Sequence, residues 1–137
     1  MSEINLPYAT IIYKDPIVYL TYEADVELGF PEIRELISCA EKVSGNKPYF
    51  TLSDIRTGVN ITNEGKRIVS DINNMPYLKG TAALVKNSFY KFAIEFINTF
   101  QRSPYPFHAF TEKQEAIDWL LSLSLENTFV SKERLIK

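Results

Sequence analysis

The sequence has only one cysteine and one histidine among its 137 residues. Cys39 has no partner for an internal disulfide, and no Cys-x-x-Cys spacing or neighbouring histidine makes it a nucleophile. His108 has no carboxylate or further ligands near it in the sequence, which general base catalysis or metal binding would need. We therefore predict structural roles for both residues, no metal, no cofactor and no enzymatic activity.

Long apolar runs and a strong charge of one sign are also missing. The apolar runs are well short of the ~20 residues that a membrane-spanning helix needs, and the N-terminus lacks a signal-peptide pattern. The formal charge of -2, with acidic and basic residues interspersed, gives no large field to attract nucleic acid or an anionic membrane. We predict a cytoplasmic protein with no membrane span and no nucleic-acid partner.

The apolar content is sufficient for one core. Apolar residues make up 45% of the chain, whose length fits one domain. We place this domain at residues 1–123. Residues 124–137 form a predicted C-terminal tail that is too apolar for a purely solvated end, so it docks on its own domain or on a second copy.

Strand and helix patterns alternate along the chain. The predicted order is hairpin, helix, strand, helix, strand, helix, strand and helix, which gives an α/β sandwich of two to three layers. Its mixed sheet has about five strands, and about four helices cover it. The predicted strands are Tyr8–Lys14, Ile17–Tyr22, Tyr49–Ile55, Thr81–Val85 and Phe107–Phe110, and the helices begin at Pro31, Thr62, Phe89 and Thr111.

Polar residues follow two of the predicted strands, where sites form in sheets of this kind. The first group is Asp54, Arg56, Asn60 and Thr62, and the second is Lys86, Asn87 and Ser88. A structural role is open for each group, because Asp54 can accept loop amide hydrogen bonds and Thr62 can cap a helix. Likewise, the second group is either an anion cradle at a helix start or a solvated loop with a capping residue.

The helix between Phe89 and Phe100 is unusually apolar. Residues at core spacing include Phe89, Phe92 and Ile97, whereas Tyr90 and Ile94 lie outside that stripe. We interpret the stripe first as core. A homodimer interface formed by Tyr90, Phe92 and Ile94 is the second interpretation, and an apolar ligand pocket is the third.

Three segments together resemble the SpoIIAA-like branch of the STAS fold, a bacterial group. They are Phe-Thr-Leu-Ser-Asp-Ile-Arg, Gly-Thr-Ala-Ala-Leu-Val and Phe-Thr-Glu-Lys-Gln-Glu-Ala-Ile-Asp-Trp-Leu. In regulatory members of this group, a serine after the aspartate is phosphorylated and switches partner binding. The corresponding region from Asp54 to Thr62 lacks the usual Asp-Ser-Ser-Gly-like motif. The resemblance leaves Thr62, at the predicted helix start, as the first candidate phosphoacceptor, with Ser53 and Thr57 as less favoured alternatives.

The leading hypothesis is a non-enzymatic STAS-type regulatory or protein-interaction module, linked to phosphorylation if Thr62 is an acceptor. The alternative is a small-molecule or lipid carrier with an apolar pocket beside the helix at 89–100.

Overall fold

The alternation of strand and helix patterns produces an ordered α/β chain. The structure, a computed structural model, describes residues 2–100 and 103–136, and the side chains of these residues except 96, 99, 100 and 127–136. The strands are β1 (Ser2–Asn5), β2 (Ala9–Lys14), β3 (Ile17–Tyr22), β4 (Val26–Leu28), β5 (Tyr49–Asp54), β6 (Val59–Ile61), β7 (Leu78–Leu84) and β8 (Phe107–Phe110). The helices are α1 (Phe30–Ser44), α2 (Asn63–Val69), α3 (Ser88–Phe100) and α4 (Lys113–Ile136), with a 3-10 turn at Ile72–Asn74.

Six strands form the main sheet, in the order β1-β2-β3-β5-β7-β8. Strands β1, β2 and β3 are antiparallel because short turns join them, whereas β3, β5, β7 and β8 are parallel because longer crossovers connect them. The carboxyl ends of all four parallel strands therefore lie at the same end of the sheet. The chain beyond the ends of β3 and β5 forms β4 and β6, which pair in a second, two-stranded parallel sheet.

The first helix forms as its sequence predicts. Pro31 lies in its first turn, where the missing N–H costs no hydrogen bond, and Gly45 ends it with a φ of 68°, a left-handed conformation that glycine adopts without a Cβ penalty. Its buried residues Ile33, Leu36 and Ala40 recur at helical spacing. They pack on the face of β1–β3 that also carries Ile11 and Val18.

The helices divide between the two faces of the sheet. One face is covered by α1 over the antiparallel strands, with α2 packed beside α1, and by α3 over β8. The other is covered by α4, whose Ala116 and Leu120 are fully buried against Phe50, Ala82 and Leu84. The arrangement is a three-layer α/β/α sandwich, so the predicted fold class and mixed sheet are confirmed.

Several predicted elements differ in detail from the structure. The main sheet has six strands rather than about five, because the four-residue β1 was not predicted, and neither were the three-residue β4 and β6 of the small sheet. The second helix ends at Val69, and Ile72 begins a separate 3-10 turn, in which an Asp71 carboxylate oxygen accepts from the Asn73 N–H at 3.0 Å. Side chains that compete for local backbone hydrogen bonds interrupt the helix here.

The predicted core stripe of α3 is wrong. Phe89 and Phe92 are 75% and 70% exposed, and Ile97 is 54% exposed. Ile94 packs instead against Ala83, Val85 and Ala109, because the helix turns this residue towards the sheet. Two other residues that the stripe was predicted to include, at positions 96 and 100, have side chains outside the described part of the structure.

The last helix continues to Ile136, beyond the predicted end of the domain core. Helical spacing along this segment predicts a core stripe that includes Leu120 and Leu121. The prediction is wrong for Leu121, which is 40% exposed, because Leu120 and Leu123 take the side that faces the sheet. Leu125 is 72% exposed. The predicted docking of the tail depends mainly on side chains from 127 onwards, which lie outside the described residues.

Candidate functional site

Two strand-end loops and one helix converge on a small pocket. The loop after β5 contributes Ile55, Arg56 and Gly58, and the end of β7 contributes Val85 and Lys86. Tyr90 and Ile94 come from one side of α3 and complete the lining of a pocket of about 110 Å³. Because β5 and β7 are adjacent and parallel, their carboxyl ends bring the two loops together.

The loop from Asp54 to Gly58, which we call the β5 loop, is tied down by backbone hydrogen bonds. The Ile55 N–H donates to the Leu84 carbonyl at 3.0 Å, and the Asp25 N–H donates to the Thr57 carbonyl at 3.1 Å. Gly58 has a φ of 88°, and a Cβ at this position would lie 2.9 Å from an Asp25 carboxylate oxygen. Glycine is required here both for its conformation and for this close approach.

Asp54 and Arg56 form a bidentate pair at the start of the β5 loop. Arg56 Nε and Nη2 donate to the two Asp54 carboxylate oxygens at 2.9 and 2.7 Å, and the Arg56 N–H donates to Oδ1 at 3.1 Å. Burial alone would raise the pKa of Asp54, but the hydrogen bonds and charge of Arg56 outweigh it and lower that pKa. The carboxylate stays ionised and holds the guanidinium in place.

The side chain of Arg56 keeps hydrogen-bonding capacity after this pairing. Arginine has five N–H donors, and the pairing with Asp54 uses Nε and one Nη2 donor. The Arg56 side chain is 50% exposed, compared with 18% for Asp54. The remaining donors therefore face solvent at the pocket.

The second loop supplies a cation and a helix cap. Lys86 is exposed and forms no ion pair with any residue that the structure describes. Asn87 Oδ1 accepts from the Tyr90 N–H at 3.2 Å, so Asn87 caps the first turn of α3. Ser88 is the first residue of that helix and is exposed. The capping interpretation fits Asn87, and neither Asn87 nor Ser88 lines the pocket.

The remaining predicted site residues lie apart from the pocket. Asn60 is exposed on β6, opposite Glu27 in the small sheet. Thr62 caps α2, because its hydroxyl oxygen accepts from the Gly65 N–H at 3.1 Å. The structure therefore brings Arg56 and Lys86 together, with Asp54 behind Arg56, and leaves the other four polar residues outside.

Four apolar or small pocket residues were missed as site residues or assigned another role. Ile55, Gly58 and Val85 were not predicted as site residues, and Ile94 was assigned to a dimer interface. Little in the sequence indicated that these residues line a pocket, because Ile55 and Val85 look like ordinary apolar residues at the end of a strand. The Thr-Gly dipeptide at 57–58 was the one local indication of a tight turn.

A second, larger depression lies at the amino end of β8. It has a volume of about 460 Å³ and is lined by Asn98, Ser103, Tyr105, Pro106, Phe107, His108 and Trp119. His108 packs edge-on against Trp119, and its Nδ1 lies 3.6 Å from a Glu95 carboxylate oxygen. The sequence did not indicate this carboxylate, because Glu95 lies in the middle of α3 and is not close to His108 along the chain. At this edge strand His108 is exposed, whereas Glu95 is partly buried.

The described residues contain neither a metal-binding cluster nor a membrane-spanning helix. Within 2–100 and 103–136, no three His, Cys, Asp or Glu side chains are grouped so that they could hold a metal ion. No helix in this part of the chain combines the length and apolar character that crossing a membrane requires.

A family model described as a domain of unknown function, DUF7793, matches residues 11–124 of the chain. The chain belongs to the DUF7793 family. No curated protein matches it. The DUF7793 chain is similar in structure to an uncharacterised DUF3478-family protein with a SpoIIAA-like fold from Shewanella loihica PV-4.

This structural similarity has a TM-score of 0.57 at 21% identity, and it covers 88% of the DUF7793 chain and 98% of the Shewanella protein. At this identity the likeness establishes the fold and nothing about activity. The SpoIIAA-like fold predicted from the sequence is confirmed.

Proposed function

We propose that this DUF7793 domain is a non-enzymatic, cytoplasmic protein-interaction module that holds a partner at the pocket between the β5 loop and α3. The convergence of two strand-end loops and α3 on one pocket is the observation that carries the proposal. A regulatory role of the STAS type is consistent with such a module.

The size of the pocket favours a protein partner over a small-molecule ligand. Pockets for small ligands usually have volumes of roughly 300–1,000 Å³. A pocket of about 110 Å³ holds one side chain instead. Single anchoring side chains that fill such pockets contribute much of the binding energy in protein interfaces.

The surroundings of the pocket also suit an interface. Tyr90 is 48% exposed at the pocket, and the neighbouring Phe89 and Phe92 are more exposed still. Tyrosine is enriched among interface residues, and contiguous exposed apolar side chains mark interaction sites. The β5 loop opposite is held by backbone hydrogen bonds, so little ordering entropy opposes binding.

A charge-reversal pair tests this proposal. Arg56→Glu combined with Lys86→Glu changes both cations at the pocket, whereas Lys47→Glu combined with Lys79→Glu makes the same change at the amino ends of β5 and β7. Both control lysines are exposed. Each tagged variant is used to recover partners from extract of the source cells, followed by quantitative mass spectrometry.

We expect the control to recover the same partners as the parent and the pocket variant to lose at least one of them. Equal recovery of every partner by the parent and both variants would reject this surface as the recognition site.

A carrier function is the second candidate, and the depression beside the last turns of α3 favours it. Its volume of about 460 Å³ falls within the usual range for small ligands. Native mass spectrometry after gentle purification should then show an added mass that Trp119→Ala removes. An apo mass for the parent protein would count against a carrier.

A further inference from the structure

We infer that the segment bound at this pocket carries an acidic side chain next to a large apolar one. This inference rests on the proposed function and specifies the chemistry of the partner. Two features support it: the charge at the pocket mouth and the apolar character of its interior.

The pocket lining has cations but no carboxylate. Arg56 and Lys86 are the two charged residues among the seven that line it. Asp54 neutralises much of the Arg56 charge from behind, but Lys86 has no ion-pair partner among the described residues. The lining residues therefore carry two positive charges, in a chain whose overall formal charge is -2; the nearest carboxylates lie outside the lining, Asp54 paired with Arg56 and Asp25 beside Gly58.

The geometry of Arg56 adds directional recognition to this charge. The Asp54 carboxylate accepts hydrogen bonds on one side of the guanidinium, from Nε and Nη2. The free donors can therefore form charge-assisted hydrogen bonds with an incoming carboxylate without losing the internal pair. Lys86, from the adjacent strand end, supplies a second positive charge for the same group.

The interior of the pocket is apolar. Ile55, Val85 and Ile94 form this part of the lining, with the exposed Tyr90 ring beside them. A leucine or aromatic side chain would remove this apolar surface from water, while a neighbouring carboxylate reaches the cations at the rim. A free inorganic anion would satisfy the rim but leave the apolar lining uncovered.

Display selection with purified proteins tests this chemistry without knowledge of the natural partner. Random 12-residue peptides are selected against the parent protein, the Arg56→Glu/Lys86→Glu variant and the Lys47→Glu/Lys79→Glu control. We expect the parent and the control to enrich Asp or Glu next to Leu, Phe or Trp. The pocket variant should lose the acidic preference, with its thermal unfolding temperature lowered only by the loss of the Asp54–Arg56 pair, and Lys86→Glu alone should weaken the preference at an unchanged unfolding temperature.

Affinity measurements then separate charge from apolar contact. For a synthetic peptide selected on the parent, replacement of its acidic residues by Gln or Asn should weaken binding on the order of tenfold, with a smaller effect at high salt. Lys86→Glu alone should act in the same direction, and it leaves the Asp54–Arg56 pair intact. Tyr90→Ala should weaken binding by about tenfold at any salt concentration.

The possible outcomes distinguish this inference from the proposed function. Selected peptides that depend on Tyr90 but show no acidic preference would overturn the acidic requirement and leave the proposed function standing. The same holds for peptides that keep their acidic preference on the pocket variant. Absence of any peptide enriched over an unrelated protein would overturn both.

Discussion

Helices α1 and α3 cover the same face of the sheet, but they use their apolar residues differently. Helix α1 buries Ile33, Leu36 and Ala40 against β1–β3, and Phe30 is its one large apolar residue that is mainly exposed among the described side chains. Helix α3 directs Ile94 to the sheet and leaves Phe89 and Phe92 largely in solvent. We call α1 over β1–β3, with α2 beside it, the docked side, and α3 with the β5 loop the open side.

The difference shows that high apolar content does not by itself identify a core helix. A helix buries its apolar stripe only where the sheet beneath it offers enough apolar surface. Helix α3 lies over the edge strand β8, where the small residues Ala83 and Ala109 offer little apolar surface. The apolar excess of α3 is therefore available for binding, next to the pocket formed with the β5 loop.

The largest expected effect is a contrast in core truncation. Leu36→Ala on the docked side should lower the free energy of unfolding by about 3 kcal/mol, since Leu36 is 6% exposed and its loss leaves a cavity. Phe92→Ala on the open side should change it by less than about 0.5 kcal/mol. Urea denaturation of both variants measures the contrast. A large loss for Phe92→Ala would show that α3 is part of the core after all.

A comparison of helix caps should give a smaller effect. Thr62→Ala removes the hydroxyl that accepts from the Gly65 N–H and should lower global stability by about 1 kcal/mol, whereas Thr62→Ser should retain it. Asn87→Ala removes the corresponding cap of α3, and we expect mainly faster amide exchange in the first turns of that helix. Equal losses of global stability for the two alanine variants would contradict a difference between the two sides.

The smallest expected effect concerns pH and the Asp54–Arg56 pair. The pKa of Asp54 is lowered from its ordinary value of 3.8, so its ionised form stabilises the folded state. This contribution is fully present above the unfolded-state pKa and is lost as pH falls through the lower pKa of the folded state. The free-energy difference between the parent and Asp54→Asn should be on the order of 0.5 kcal/mol at neutral pH and should decline below pH ~4.

Glu115→Gln, which removes an exposed carboxylate in the first turn of α4, is the control for general loss of negative charge. A parent-minus-Asp54→Asn difference that is constant down to pH ~2 would contradict the stabilising pair.

Most of the sheet could be predicted from local sequence patterns. The runs that became β2, β3, β5, β7 and β8 are β-branched or apolar and end in turn residues, so each specifies a strand locally. The short strands β1, β4 and β6 carry too few residues for a pattern. They form because neighbouring strands and loops pair with them, which is tertiary information.

The candidate site was only partly predictable, for a related reason. The carboxyl-end rule drew attention to Arg56 and Lys86, which line the same pocket from two different loops. It could not show that Asn60 lies on the small sheet, because this depends on where the chain turns after β5. Capping by Thr62 and Asn87 was one of the interpretations open in the sequence, and the structure shows both caps. The orientation of α3, which places Tyr90 and Ile94 at the pocket, is likewise set by packing against β8.

Nuclear magnetic resonance mapping tests the central claim most directly. An acidic peptide selected on the parent protein is titrated into the isotope-labelled domain, and backbone amide shifts are followed. We predict that the largest shifts occur at Ile55, Arg56, Gly58, Lys86 and Tyr90, and that Lys86→Glu moves their titration to higher peptide concentrations. Shifts concentrated instead around Asn98, Tyr105 and His108 would contradict the claim that the β5 loop and α3 form the recognition site.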